Sequence, residues 1–252
     1  PIITRVALCV IIFFGCCAYI VNLSLLNEVE KLYCEKQISW INKIYKKSYH
    51  VLNDNLKKIV NNKKFFVGSR DELGYYQPDL TDCLIDNNSR RGRFVEKSFI
   101  KKTYFEYWYA NNDLIKIKYI TDDYYDNYDV IIEKKDNITI YLFYSLDYNG
   151  EVTLSDFFVL EYENGNLIVL DKYVKQGILD KYSYLGAEYF YKERKLYKAV
   201  TFDGFWTKTF DFEYDTSGKL LKCTLDDGHR IYNIDIEDKI EKFHKFGLYH
   251  LG

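Results

Sequence analysis

The sequence predicts a mainly β, α+β chain: an antiparallel up-and-down meander of about nine to eleven strands, behind a long N-terminal amphipathic helix and an N-terminal transmembrane helix. Three observations predict it. Between residues 103 and 235, short apolar runs alternate with turn signals. The chain holds 26 Tyr and 17 Phe against 2 Pro, and flat rings favour pleated surfaces that proline would interrupt. Upstream of residue 65 the apolar period changes from two to three and four.

The turn signals are Asn111-Asn112, Asp136-Asn137, Asn149-Gly150, Asn164-Gly165, Gln176-Gly177, Glu193-Arg194, Asp203-Gly204, Ser217-Gly218 and Asp227-Gly228. Asn-Gly and Asp-Gly tolerate the positive φ of type I′ turns, whose twist matches the strands they join. The segments between them, 103–109, 114–120, 128–133, 138–146, 152–162, 167–174, 182–191, 196–202, 205–214, 220–225 and 230–235, are the expected strands. Connections this short join antiparallel neighbours, because a parallel crossover needs a dozen or more residues.

Residues 1–26 form the expected attachment. Residues 6–21 carry no charge, and extension to Leu26 gives about 20 residues, the length that crosses a hydrocarbon core. Small residues at Gly15, Cys16, Cys17 and Ala18 also fit a cleaved or lipidated signal, and a buried core helix is the third reading. Arg5 before the segment and Glu28 and Glu30 after it place the bulk of the chain outside the cell membrane. The chain holds no Met, so its natural start is expected slightly upstream.

Residues 27–64 read as an amphipathic helix. Val29, Leu32, Tyr33, Ile41, Ile44, Tyr45, Tyr49, Leu52, Leu56 and Ile59 recur at helical steps, opposite Lys43, Lys46, Lys47, Lys57 and Lys58. Such a helix either covers one face of the sheet or rests on anionic headgroups. Asn61, Asn62, Lys63 and Lys64 are expected to end it. Residues 65–102 are an irregular connection, in which Arg90, Arg91 and Arg93 have the chemistry to hold an anion and also describe a solvated loop. Residues 103–252 make the sheet domain.

A net charge of −2 offers no basic field, so no nucleic-acid partner is expected. Outside the apolar segment only Cys34, Cys83 and Cys223 remain, enough for one disulfide and without metal spacing. His50, His229, His244 and His250 share no catalytic pattern, so the expectation is a non-enzyme without cofactors. The acidic run of Asp122, Asp123, Tyr124, Tyr125, Asp126, Tyr128 and Asp129 lacks the glycine of a calcium loop.

As a contact surface, that run makes more sense, because tyrosines beside aspartates supply amphipathic area at low entropic cost. In residues 205–214, Trp206, Phe210, Phe212 and Tyr214 alternate with Thr207, Thr209, Asp211 and Glu213, giving one dry and one wet face. In residues 138–145, Tyr141 and Phe143 share the face opposite Ile140, Leu142 and Tyr144. The expected partner-binding residues are therefore Asp122, Asp123, Tyr124, Tyr125, Asp126, Tyr128, Tyr141 and Phe143, the equal alternative being that the rings simply cover their cross-strand neighbours.

This layout of apolar segment 6–21, helix 26–60 and meander 103–235 resembles the TipC-type immunity proteins. The resemblance implies a membrane anchor, a helical connection and an extracellular sheet whose concave face binds a secreted antibacterial toxin without enzymatic action. Tyr214, Asp215, Gly218 and Leu220 also resemble one Tyr-Asp repeat of toxin shells, with Tyr162, Glu163, Gly165 and Leu167 a looser second copy. Two other readings are left open: an envelope protein or lipoprotein holding a peptide or apolar ligand on its sheet, and, third, a hydrolase built from sheet-face acids.

Overall fold

The computed structural model describes residues 49–67, 93–100, 102–121, 127–146, 151–176, 181–203 and 206–234, together with Lys36, Ser39 and Ile41. The chain divides into two compact units, Pro1–Lys46 and Lys47–Gly252. Lys36, Ser39 and Ile41 are helical. The expected membrane segment lies outside the described residues, among which no helix is long and apolar enough to cross a membrane. Of the expected long helix, α1 (Tyr49–Ile59) is described in full.

The described strands of the second unit form a single antiparallel sheet, with α1 before it. Its strands are β1 (Asn62–Val67), β2 (Arg93–Val95), β3 (Tyr104–Ala110), β4 (Asp113–Ile120), β5 (Tyr128–Lys135), β6 (Ile138–Leu146), β7 (Val152–Glu163), β8 (Asn166–Gln176), β9 (Lys181–Lys192), β10 (Lys195–Asp203), β11 (Trp206–Tyr214), β12 (Leu220–Asp226) and β13 (Ile231–Ile234). From β3 to β13 each strand pairs with the next in sequence, and β1 and β2 extend the sheet beyond β3. All eleven segments expected between residues 103 and 235 form strands. The correction lies upstream, where two further strands bring the sheet to 13. Asn62, Lys63 and Lys64, expected to close the helix, instead open β1, because α1 stops at Ile59 and the Asn61 N–H donates to the Tyr109 carbonyl at 3.0 Å. That bond turns the chain into the sheet.

Positive φ marks the tight turns. Asn111 and Asn112 (49° and 71°) and Asn164 and Gly165 (51° and 82°) have the backbone of type I′ turns. Glu193 and Arg194 adopt the same conformation at 52° and 65°, although neither side chain favours it.

The register also exposes a repeat. In four hairpins a tyrosine faces a leucine across the turn: Tyr109–Leu114, Tyr162–Leu167, Tyr191–Leu196 and Tyr214–Leu220. Directly after each leucine one residue falls out of register as a β-bulge: Ile115, Ile168, Tyr197 and Leu221. Two of these hairpins carry the tyrosine–glycine–leucine likeness noted in the sequence; the other two share only the geometry.

The two faces differ. One, here the ring face, carries a continuous apolar cluster from Phe66 through Phe105, Tyr107, Val130, Phe143, Leu160, Leu170, Tyr189 and Phe210 to Cys223. The other, the helix face, is dry from β3 to β8, with Ile131, Leu142, Phe157 and Tyr173 buried, and becomes wet from β9 onward. Helix α1 buries Leu52 and Leu56, four residues apart on one side, and keeps Lys57 and Lys58 in its last turn, where they favour the negative end of its dipole.

Candidate partner-binding surface

Among the expected binding residues, Asp122, Asp123, Tyr124, Tyr125 and Asp126 lie outside the described residues. Tyr128, Tyr141 and Phe143 come together on the ring face. Neighbouring rings form a ladder across β1, β3, β4, β5, β6 and β7: Phe66–Phe105 at 6.3 Å, Phe105–Tyr119 at 4.9 Å, Tyr119–Tyr128 at 5.0 Å, Tyr128–Phe143 at 6.3 Å and Phe143–Phe158 at 4.6 Å. Tyr141 is the register partner of Phe158. Tyr141 and Phe143 are buried and Tyr128 half-buried, because each ring shields the next. Inside this ladder the Tyr119 hydroxyl is buried and finds no hydrogen-bond partner among the described residues.

Further along the ring face sit the repeat tyrosines. Burial holds the phenols of Tyr162 and Tyr191 well above the ordinary tyrosine value, and the neighbouring tyrosine adds to each shift. Tyr214 is pushed up to about 12, first by burial and then by Cys223. Its hydroxyl donates to the Leu196 carbonyl at 2.8 Å, tying one repeated hairpin to the one before it. Cys223 itself is buried.

The helix face holds a polar centre that sequence reasoning missed. Lys116, 1% exposed, is paired with Asp129, which is also buried. Tyr49 of α1 donates to the same carboxylate, and Asn53 accepts from Lys116 at 2.7 Å. The Trp108 ring, directly across the strand, lies 5.0 Å from the ammonium, and its Nε1 donates to Glu106 at 2.8 Å. Burial pushes the Lys116 ammonium below its usual value while Asp129 works against the shift. Burial, then Asp129, holds the Tyr49 phenol far above its own. A buried ion pair holds only when its remaining valences are filled, and α1 fills them. One clue in the sequence was the charge at alternate positions in β4, where Lys116 and Lys118 share the face of Glu106 and Asp129.

Beyond β8 the helix face is open. Phe190, Tyr197 (44% exposed) and Leu221 (60% exposed) stand on or beside it, and Ile231 lies on its last strand. Trp206, 58% exposed, departs from the dry alternation of Phe210 and Phe212 and meets the His229 ring at 5.5 Å. Among the described residues the large exposed apolar side chains fall on α1, around β1 and β2, and on β9 to β13, with none from β3 to β8. No group of three or more His, Cys, Asp or Glu side chains among the described residues is placed to hold a metal ion.

No protein-family model, curated protein or solved structure matches this chain.

Proposed function

We propose that the chain works by binding: an immunity protein, tethered outside the cell membrane by its leading apolar segment, that neutralises a secreted antibacterial toxin by covering it. The observation that carries the reading is the exposure of large apolar side chains on the last five strands: Phe190, Tyr197, Leu221 and Ile231 on or beside the helix face, and Trp206 and Tyr232 on the ring face. Tyrosine and tryptophan supply most of the binding energy of protein interfaces, and charged groups around them set the partner's orientation. The buried Tyr141 and Phe143 then belong to the ring-face core of β6, and contact falls to the exposed side chains of β9–β13.

Co-expression with a secreted toxin encoded beside this gene tests the reading. Protection of growth and co-elution of the two proteins are expected. Both should be lost when Tyr197, Trp206 and Leu221 are replaced together by serine, with the melting temperature nearly unchanged. Turnover of a substrate by the purified chain, or full protection by the triple variant, would sink it.

A second reading rests on the sheet's edges. Among the described residues β13 has a neighbour on one side only, and Ile231 is 73% exposed there, so an extended peptide has a strand to pair with. This is the route by which an envelope protein would hold a peptide.

A further inference from the structure

Part of the helix-face centre recurs: a ring, a lysine one residue past a bulge and an acid on the next strand. Trp108 on β3 faces Lys116 on β4, the residue that follows the bulge at Ile115, and Asp129 stands on β5. Phe190 on β9 faces Lys198 on β10, the residue that follows the bulge at Tyr197, and Asp211 stands opposite Lys198 on β11. In both, the ammonium lies over the preceding strand's ring, at 5.0 Å from Trp108 and 6.0 Å from Phe190. The third hairpin with a lysine at this position, Lys222, has Glu213 opposite and no ring, and at Ile168 the following residue is Val169. The aromatic–lysine–acid set is therefore a device present in two of the four repeats.

The two copies differ in their cover. The first is roofed by α1, which offers Asn53 and Tyr49 to the ion pair and Leu52 and Leu56 to the sheet. The second has Phe190, Tyr197 and Asp211 in contact with water, and half-buried Val200 and Phe202 continue its apolar lane along β10. From Tyr197 to Phe202 that lane is about 17 Å long at ~3.4 Å per strand residue. The 11 residues of α1 span about 16 Å at 1.5 Å each, so the lane seats one short helix.

We infer that the helix face of β9–β11 is a docking site for an amphipathic helix of the partner protein. Such a helix carries leucine-like residues three and seven positions after a tyrosine and an amide four positions after it, repeating what α1 presents to Lys116. This deepens the binding reading and rests on it: the toxin or its equivalent would contribute the missing roof. The helix buries apolar side chains on Tyr197, Val200 and Phe202, and its amide accepts from Lys198, whose ammonium lies over the Phe190 ring with Asp211 opposite it in the register.

A helical peptide of residues 49–60, stapled between positions 51 and 55 on its outward side, is the probe. Titrated against the full chain and followed by fluorescence anisotropy, it is expected to bind saturably. Tyr197→Ala and Lys198→Ala in the chain, or Asn53→Ala in the peptide, should each weaken binding by about tenfold, the size of a modest hot spot. Lys222→Ala should leave it unchanged. No saturable binding up to about 1 mM, the weakest useful affinity, overturns the inference. So does binding indifferent to Tyr197 and Lys198, which would mean exchange at the Lys116 centre. Self-association of the chain through these residues, read by sedimentation, overturns it as well. Toxin protection is scored separately: its loss with peptide binding intact sinks the immunity reading alone, and toxin binding unaffected by Tyr197→Ala sinks the docking site alone.

Discussion

Lys116 and Lys198 occupy the same place in two repeated hairpins, one residue past a bulge, over a ring and near a carboxylate. One is sealed beneath a helix and the other stands half in water. Local geometry is shared, so the difference comes from what lies above. Under α1 the Lys116–Asp129 pair has lost its hydration and depends on Tyr49 and Asn53 to complete its hydrogen bonds. Lys198 is half-buried and Asp211 stands exposed opposite it, so little stability hangs on either charge. Covered, the arrangement locks the fold; open, it is available for contact.

The sharpest way to break the comparison is to remove one charge from each copy. Lys116→Ala is expected to destabilise the chain by about 3–5 kcal/mol in urea unfolding, because Asp129 stays buried without its counter-charge. Lys198→Ala should change stability by about 0.5 kcal/mol or less. Equal losses would end the distinction between a sealed and an open copy.

Alkali probes the covered parts in another way. Tyr144 on the helix face and Tyr214 on the ring face are pushed up to about 12 by burial. Above pH 10 the unfolded chain releases these protons while the folded chain keeps them, so stability falls as pH rises from about 10 to 12. Phenolate absorbance is expected to appear in two phases, with the later one coinciding with loss of the circular-dichroism signal. A single phase near 10 in the folded chain would show that these rings are open to water.

A smaller effect tests the border between the two halves. Tyr184 folds back over Gly186 to donate to the buried Asp171 at 2.8 Å, and a Cβ on Gly186 would collide with its ring. Gly186→Ala should therefore displace Tyr184 and cost about 1–3 kcal/mol in thermal unfolding. The smallest change runs the other way. Replacing Glu193-Arg194 by Asn-Gly, whose backbones accept positive φ, is expected to stabilise the chain by about 1 kcal/mol.

Much of this architecture was legible before folding. Asn111-Asn112, Asn164-Gly165 and even Glu193-Arg194 punctuate the sequence where hairpins turn, and Phe210 and Phe212 alternate with Asp211 and Glu213 as a half-buried strand requires. β1 escaped because Asn62, Lys63 and Lys64 carry no strand pattern of their own; it is the pairing of Lys63 with Trp108 and Phe66 with Phe105 that makes them a strand. The binding residues were chosen by the same local logic, which favours rings. It could not tell that Tyr141 and Phe143 would be walled in by Phe158 and Tyr128, or that Tyr197 and Leu221 would be pushed outward by bulges.

By itself, then, the sequence determined the strands from β3 to β13, their antiparallel order and the alternation of wet and dry faces, since turn chemistry and a period of two act over a few neighbouring residues. Only the tertiary structure decided which face is sealed where. The fate of Lys116 depends on Asn53 and Tyr49, more than sixty positions away in the chain, and that of Lys198 on a surface left uncovered. Burial is a property of neighbours in space, and short-range pattern carries no record of them.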